Sequence, residues 1–553
     1  MADNPGWYQD ALFYQVYVRA FRDGNGDGHG DLPGLIEKLD YLQALGVDCL
    51  WLSPFYPSPL LDGGYDISDF YNVAEQYGTL DDVQRLLREA HARGLRVITD
   101  LVLNHTSSHH PWFQSARADR NSPYRDYYVW SDTDQKYTDT RIIFLDTEVS
   151  NWTWDEQAGQ FFWHRFYGHQ PDLNYDNPAV RAEMLKVLAF WLDQGLDGFR
   201  ADAVPYLIER EGTNCENLDE THVYLKEMRA FVDQHYPGRI LLAEANQWPR
   251  DLRAYFGEGD EFHMAFHFPV MPRIYMALAR QDPQAIVDIL KATPPIPPGT
   301  QWCTFLRNHD ELTLEMVTAE ERQWMWATYA PEPRMRQNLG IRRRLAPLLD
   351  GDRRRVALAH ALLFALPGAP IFYYGDEIGM GDNIWLEDRD GVRTPMQWEA
   401  GPTAGFSSGP PEQLYLPVIN AGPYRSERVN VAAQVADPDS LWHALRRLAG
   451  VRKAHPAFSR GDIQFLPRDN PVVFGLARRA GDELIIALHN LADTPERVTV
   501  DLAQLPSLDH RWHGQPAQTL LAPGVTGPDP LTPPYTLELP PYGYAWLLVG
   551  TAE

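Results

Sequence analysis

Cysteine is scarce in this chain. Cys49, Cys215 and Cys303 are the only three in 553 residues, an odd count without paired spacing, which argues against a disulfide framework or a thiolate zinc centre. Long apolar runs are missing too, and none is long enough to cross a bilayer. The opening stretch Met1-Ala2-Asp3-Asn4-Pro5 has neither a basic segment nor an apolar one behind it, so a cytoplasmic protein is expected. Positive charge is also in short supply: 49 Lys and Arg stand against 75 Asp and Glu, a net charge of −26. Such a field repels phosphate backbones and anionic lipid, so neither nucleic acid nor membrane is an expected partner, and a neutral small molecule is. The chain carries no internal repeat and no low-complexity tract.

Aromatic residues are plentiful, with 17 Trp and 27 Tyr, enough for ordinary core packing and for flat platforms against sugar rings. The length suits several domains or one large barrel with additions. Apolar strand-like runs fall at 12–21, 49–54, 96–103, 198–204, 239–245, 264–268, 302–306 and 369–374. Between them, helical patterns run over 31–45, 79–93, 177–194, 221–235 and 352–366, several stopped by a glycine such as Gly46, Gly94 or Gly195. Strand followed by helix implies parallel βαβ units, and eight of them imply an α/β fold closed into a (β/α)8 barrel. Residues 106–172 are too long and too rich in Trp, Tyr, Asp and His for a simple loop, so a small inserted domain is expected after the third strand. The barrel then comprises 1–105 and 173–458, with a Pro/Gly-rich subdomain at 375–435. From 459 to 553, short strand-like runs at 472–476, 483–489 and 544–548 between turn residues predict a C-terminal all-β sandwich.

In such a barrel the chemistry sits where strands end at their carboxyl side. Gly198-Phe199-Arg200-Ala201-Asp202 places a cation and a carboxylate two residues apart, hence on one face of a strand. Taken alone, that pair fits a nucleophile kept ionised beside its cation and a structural ion pair equally well. Asp100 to His105, Glu244 and Asn308-His309-Asp310-Glu311 also close apolar strands. One such acid is more often a helix cap, but several at one mouth are not. Asp202 beside Arg200 and Glu244 in an apolar run would have their pKa values pushed apart. That is the division between nucleophile and acid/base in a retaining glycosidase. Asp310 would then steady an oxocarbenium-like transition state, with His105 and His309 as neutral donors to sugar hydroxyls.

A second pattern is Asp23-Gly24-Asn25-Gly26-Asp27-Gly28-His29-Gly30-Asp31, with oxygen ligands at positions 1, 3, 5 and 9 and glycine at 6. It matches the first part of an EF-hand loop but has Gly34 where the closing Glu would stand. A rim Ca²⁺ or Mg²⁺ site is expected, with side chains of Asp23, Asn25, Asp27 and Asp31 and the carbonyl of His29.

Asp100-Leu-Val-Leu-Asn-His105, Gly198-Phe-Arg-Ala-Asp202, Glu244 and Asn308-His309-Asp310, in this order on these strands, resemble glycoside hydrolase family 13, the α-amylase superfamily. The resemblance runs along almost the whole chain. It implies Asp202 as nucleophile, Glu244 as acid/base and Asp310 as transition-state stabiliser. It further implies that Asp62, Tyr65, His105, Gln170, Arg200, His309 and Arg389 hold the glucosyl ring. A second Ca²⁺ site follows from the family alone, with Asn104, Asp172 and Glu209 and the carbonyls of Tyr206 and Leu207; no organic cofactor is implied. Gln170-Pro171-Asp172-Leu173-Asn174 and Arg393-Thr394-Pro395-Met396-Gln397-Trp398 resemble markers of the oligo-1,6-glucosidase-like branch. Ala203 stands where 1,6-cleaving relatives carry Val, which favours α-1,4 substrates. The expected activity is interconversion of maltose and α,α-trehalose by glucosyl transfer within one molecule, with minor hydrolysis; the alternative is a retaining α-1,4-glucosidase. Arg141, Asn246 and Glu311 are expected to help close the pocket. A non-catalytic relative that assists a transporter is disfavoured, because all three acids are present. The expectation leaves room for a homo-oligomer.

Overall fold

Eight short strands with almost every residue buried form the centre of the molecule: β1 Phe13–Val16, β2 Cys49–Leu52, β3 Arg96–Val102, β4 Gly198–Asp202, β5 Ile240–Ala243, β6 Met264–Phe266, β7 Gln301–Phe305 and β8 Ala369–Tyr373. Burial on both faces is why they read as continuous apolar runs rather than alternating ones. Each pairs in parallel with its neighbours in sequence, and β1 closes the ring by pairing with β8, Phe13 opposite Ile371 and Gln15 opposite Tyr373. The computed structural model describes residues 5–467, 469–505 and 508–550. Met1 to Asn4, part of the stretch read for a leader, lies outside the described residues.

The helices between strands are stopped as their sequences dictate. Thr79 and Asp82 form a reciprocal capping box at the start of helix Leu80–Ala92, and Gly195 takes the left-handed φ of 110° that ends Pro178–Gln194. Two expectations need correction. The apolar run 12–21 is not one strand: β1 stops at Val16 and a helical turn, Val18–Phe21, follows. An apolar stretch of that length does not report a change of backbone period within it. Likewise 31–45 is two helices, Leu32–Glu37 and Leu39–Leu45, broken at Lys38. Helices Val270–Arg280, Gln284–Ala292 and Leu441–Ala454 were not among the predicted elements.

Between β3 and β4 lies a three-stranded antiparallel sheet of Trp130–Ser131, Gln160–Trp163 and Trp152–Asp155, preceded by helix Pro111–Ala118. Backbone bridges from His105 to Asp172 and from Tyr128 to Leu173 tie it to the end of β3. After β7 a second small sheet joins Leu312–Thr313, Gly340–Ile341 and Arg336–Gln337 around helix Ala319–Tyr329.

Past the barrel, a five-stranded antiparallel sheet runs in the order Asp462–Phe465, Val473–Ala480, Glu483–Asn490, Tyr544–Val549, Ala517–Leu521, beside a two-stranded ribbon of Glu496–Val500 and Tyr535–Leu539. Alternation decides its packing. Ile485 and Ala487 join the barrel core, whereas Leu484, Ile486 and Leu488 face the ribbon residues Val498, Val500 and Leu537.

Candidate active site

Arg200 is the hub, and β4 puts it there. Asp100 stands opposite it in the parallel register, and Asp202 lies two residues on, on the same face. The guanidinium, 1% exposed, binds Asp100 and Asp202 through Nη1 and Glu244 through Nη2 at 2.5 Å. Asp100 is further fixed by Trp51, whose Nε1 donates to Oδ2 at 2.8 Å. Just past Asp202 the chain turns sharply: Ala203 has a left-handed φ of 52°, and its N–H donates to Glu244 Oε2 at 3.0 Å. One turn therefore ends β4 and fixes the carboxyl that follows β5.

The three predicted acids meet at one cavity, lined also by Asp62, Tyr65, His105, His309 and Arg389. Burial pushes Glu244 up to about 8, with Arg200 opposing and Asp202 and Asp310 adding. Asp202 is raised to about 6 by burial, opposed by the charge and hydrogen bond of Arg200. Asp310 goes the other way. Burial alone would raise it, but the neighbouring His309, and after it the guanidiniums of Arg389, Arg393 and Arg200, outweigh burial and hold it well below the usual carboxylate range. Three carboxyls in one pocket thus divide into a proton holder, a buried anion and a strongly held anion.

Arg389 donates to Asp310 Oδ1 at 2.8 Å and also binds Asp62, which in turn accepts from Gln170 Nε2 at 2.9 Å. Tyr65 lies flat on His309, ring centroids 5.0 Å apart and 10° from parallel. The Tyr65 hydroxyl and His105 Nε2 are buried without a hydrogen-bond partner, as expected of groups that face a ligand. His105 is kept neutral, its pKa brought down to about 3 by burial and by His169. The second half of the wall is apolar: Ile143, Phe144 and Phe166 from the inserted segment, and Phe268 after β6.

Arg393 was read only as part of a sequence marker, yet it donates to Asp310 Oδ1 at 3.0 Å and to the His309 carbonyl at 2.8 Å. Its position, four residues after Arg389 and in a loop beyond β8, gives no periodic signal that would have exposed the role. Glu315 and Thr313 were missed as well; both line the cavity and accept from Asn246 Nδ2 at 3.1 Å. Arg141 reaches Glu315 at 3.2 Å and Glu216 at 2.7 Å, while Glu311 lines the cavity and accepts from Asn338 at 3.2 Å.

The two expected cation sites differ. In the first loop, Asp23 accepts from the N–H groups of Asn25, Gly26 and Gly28, Asn25 Oδ1 from Asp27, Asp27 from His29, and Asp31 from Gly24 and Gly34. At the second, Asn104 Oδ1, Asp172 Oδ2 and Glu209 Oε1 are buried without partners. Burial drives Asp172 and Glu209 far up, and Asp172 pushes Glu209 further. Among the described residues no three His, Cys, Asp or Glu side chains gather as ready ligands, so a cation there needs Asn104 and main-chain oxygens.

A parallel barrel whose strand ends bring three carboxyls and a shared arginine to one cavity has the arrangement of a glycoside-processing enzyme. The catalytic-domain model of α-amylase matches residues 15–331 and 340–461, and the chain belongs to the α-amylase family. It is 56% identical to a trehalose synthase/amylase of Mycobacterium tuberculosis, over 100% of this chain and 91% of that protein. It is 51% identical to a trehalose synthase of Thermus thermophilus, over 100% of this chain and 56% of that one. An oligo-1,6-glucosidase of Parageobacillus thermoglucosidasius is 32% identical, over 88% of this chain and 91% of its own. Among solved structures, a trehalulose synthase from Pseudomonas mesoacidophila superposes with a TM-score of 0.78 at 30% identity, covering 98% of this chain and 99% of that one.

Proposed function

We propose that this enzyme interconverts maltose and α,α-trehalose through a covalent glucosyl intermediate, with retention and little hydrolysis. The observation that carries the reading is the similarity to trehalose synthases at 51–56% identity along the whole of this chain, whose three acids line one cavity. Asp202 attacks the anomeric carbon of the non-reducing glucose while Glu244, protonated near neutrality, gives its proton to the glycosidic oxygen. The C–O bond breaks, the glucosyl group is held as an ester of Asp202, and free glucose remains. That glucose turns in place and its anomeric hydroxyl gives a proton to Glu244. Its oxygen attacks the anomeric carbon of the glucosyl ester from the face the leaving group left, the bond from that carbon to Asp202 breaks with Asp202 departing as carboxylate, and two inversions give retention. Asp310, with Arg389 and Arg393 holding it ionised, faces the positive charge that develops at the ring. Asp62, Tyr65, His105, Gln170, His309 and Arg389 bind that ring.

Water is the competitor at the ester stage, so the apolar wall of Ile143, Phe144, Phe166 and Phe268 favours transfer to retained glucose over hydrolysis. Structural Ca²⁺ belongs to the same reading. The partnerless oxygens of Asn104, Asp172 and Glu209, with the carbonyls of Tyr206 and Leu207, fit a cation that offsets two buried carboxylates. The Asp23–Asp31 loop is the proposed second holder of Ca²⁺ or Mg²⁺. The inserted segment 106–172 and the subdomain 375–435 are assigned to cover the barrel mouth. No described helix is long and apolar enough to cross a membrane, and the three buried free thiols accord with a cytoplasmic setting.

The test is to incubate purified protein with maltose and follow the anomeric proton signals by NMR. Trehalose is expected to accumulate ahead of glucose; glucose alone would leave the α-1,4-glucosidase reading. Asp202→Asn should stop both.

A further inference from the structure

His309 is fixed from four sides. Tyr65 covers one face of the imidazole, the Trp51 ring meets it edge-on at 83°, Asp310 Oδ2 stands 3.1 Å from Nε2, and Gln15 Nε2 stands 2.7 Å from Nδ1. Gln15 comes from β1, with only β8 between it and β7 in the ring, and is fully buried; its amide nitrogen also reaches Ser53 Oγ at 3.3 Å. The proton positions follow from these contacts. A carboxylate oxygen at 3.1 Å requires a proton on Nε2. Burial and the nearby guanidiniums of Arg393, Arg200 and Arg389 oppose a cationic ring more strongly than Asp310 favours one. A neutral ring with its proton on Nε2 has a lone pair at Nδ1, and a lone pair requires a donor opposite, which only the amide N–H₂ end of Gln15 supplies.

We infer that Gln15 is a positioning residue for the glycosyl-transfer site: its amide occupies the Nδ1 lone pair of His309 and so blocks a second proton on the ring. The consequence is electrostatic. A neutral His309 still donates to Asp310, but leaves it a full negative charge to set against the positive charge that develops at the sugar ring. An imidazolium in the same place would cancel that charge. The reverse amide orientation would put Gln15 Oε1 against Nδ1, and would then require a proton on both ring nitrogens. The groups that face the imidazole are Asp310, Tyr65, Trp51, Gln15 and the three arginines, and among the described residues no hydrogen-bond partner other than Gln15 stands at Nδ1.

This inference rests on the role given to Asp310, but its first readout does not depend on which product forms. The protein labelled with ¹⁵N-histidine, with His309→Asn to assign the ring, reports the tautomer directly by long-range proton–nitrogen correlation. The unmodified enzyme should show a neutral ring with its proton on Nε2 between pH 5.5 and pH 8.5, a window of about three units around the ordinary histidine value. An imidazolium, or a proton on Nδ1, at neutral pH overturns the inference outright, whether or not any variant folds. Gln15→Met keeps the volume and removes the donor. In it the ring should begin to take a second proton within that window, with kcat lower by about 10- to 100-fold and KM changed far less. A Gln15→Met enzyme that titrates like its parent and turns over within twofold of it would also overturn the inference.

Discussion

Arg200 Nη2 stands 2.5 Å from Glu244 Oε1, while Nη1 of the same guanidinium holds Asp202. Acid and nucleophile therefore share one cation, and their separation is set by the fork of a single side chain. Arg200→Lys keeps the charge but cannot hold both carboxyls and Asp100 at once. We expect kcat to fall by about 10²-fold or more, since misplacing a reacting group by about 1 Å has that effect. Thermal denaturation by circular dichroism should show the fold retained. A lysine variant with near-parental kcat would mean that one charge suffices and the fork does not.

The pH dependence follows from two of the same groups. Asp202 must be ionised to attack, and its pKa is about 6, so activity falls as pH drops through that value. Glu244 must be protonated, and its pKa is about 8, so activity falls as pH rises through that value. A bell-shaped profile of kcat/KM on maltose is expected, with limbs near 6 and 8 that belong to the interacting pair. A flat profile from pH 5 to pH 9, a span of about four units, would contradict this assignment of acid and base.

The barrel was legible because its strands are buried on both faces and each is punctuated by a helix with its own caps. The acids were legible because each sits beside a strand end, and Arg200 with Asp202 follows from the period of two. What stayed hidden is what loops decide. Arg393 and Glu315 act from segments after β8 and β7 whose conformation is set by tertiary contacts, and Gln15 looks like an ordinary polar residue within an apolar run. The break at Lys38 was invisible for a related reason: the apolar positions on either side keep a helical spacing across it.

Divalent cations should act on stability and not on chemistry. Asn104, Asp172 and Glu209 leave three oxygens without partners, each worth about 1–3 kcal/mol when unsatisfied. Millimolar Ca²⁺ added to chelator-treated protein should raise the melting temperature in proportion to the logarithm of its concentration, and Asp172→Asn should remove most of that increment. The expected effect on kcat, measured well below the melting temperature, is small. A melting temperature indifferent to both chelator and Ca²⁺ would argue against a cation at these residues.

Arg141 joins three segments over the cavity. From the inserted segment it reaches Glu216 at 2.7 Å, Glu315 at 3.2 Å and the Tyr206 hydroxyl at 3.4 Å. Glu315 and Tyr206 line the cavity itself, and Glu315 also accepts from Asn246. Without the arginine, Glu315 loses its cation and the inserted segment loses one of its contacts with the segment after β7, the Asn338 N–H to Asp146 Oδ2 hydrogen bond at 2.7 Å remaining, while Glu216 keeps Arg165 at 3.0 Å. The pocket should then open more often at the ester stage, when a glucose molecule and water compete for the same carbon. Weakening closure by about 1 kcal/mol changes that partition about fivefold. Arg141→Ala should therefore raise the ratio of glucose to trehalose formed from maltose by about that factor. Total consumption of maltose should change less, because Asp202, Glu244 and Asp310 do not touch Arg141. Product ratios by anomeric NMR decide the matter: an unchanged ratio with reduced turnover would place Arg141 in the fold of the inserted segment and not in the exclusion of water.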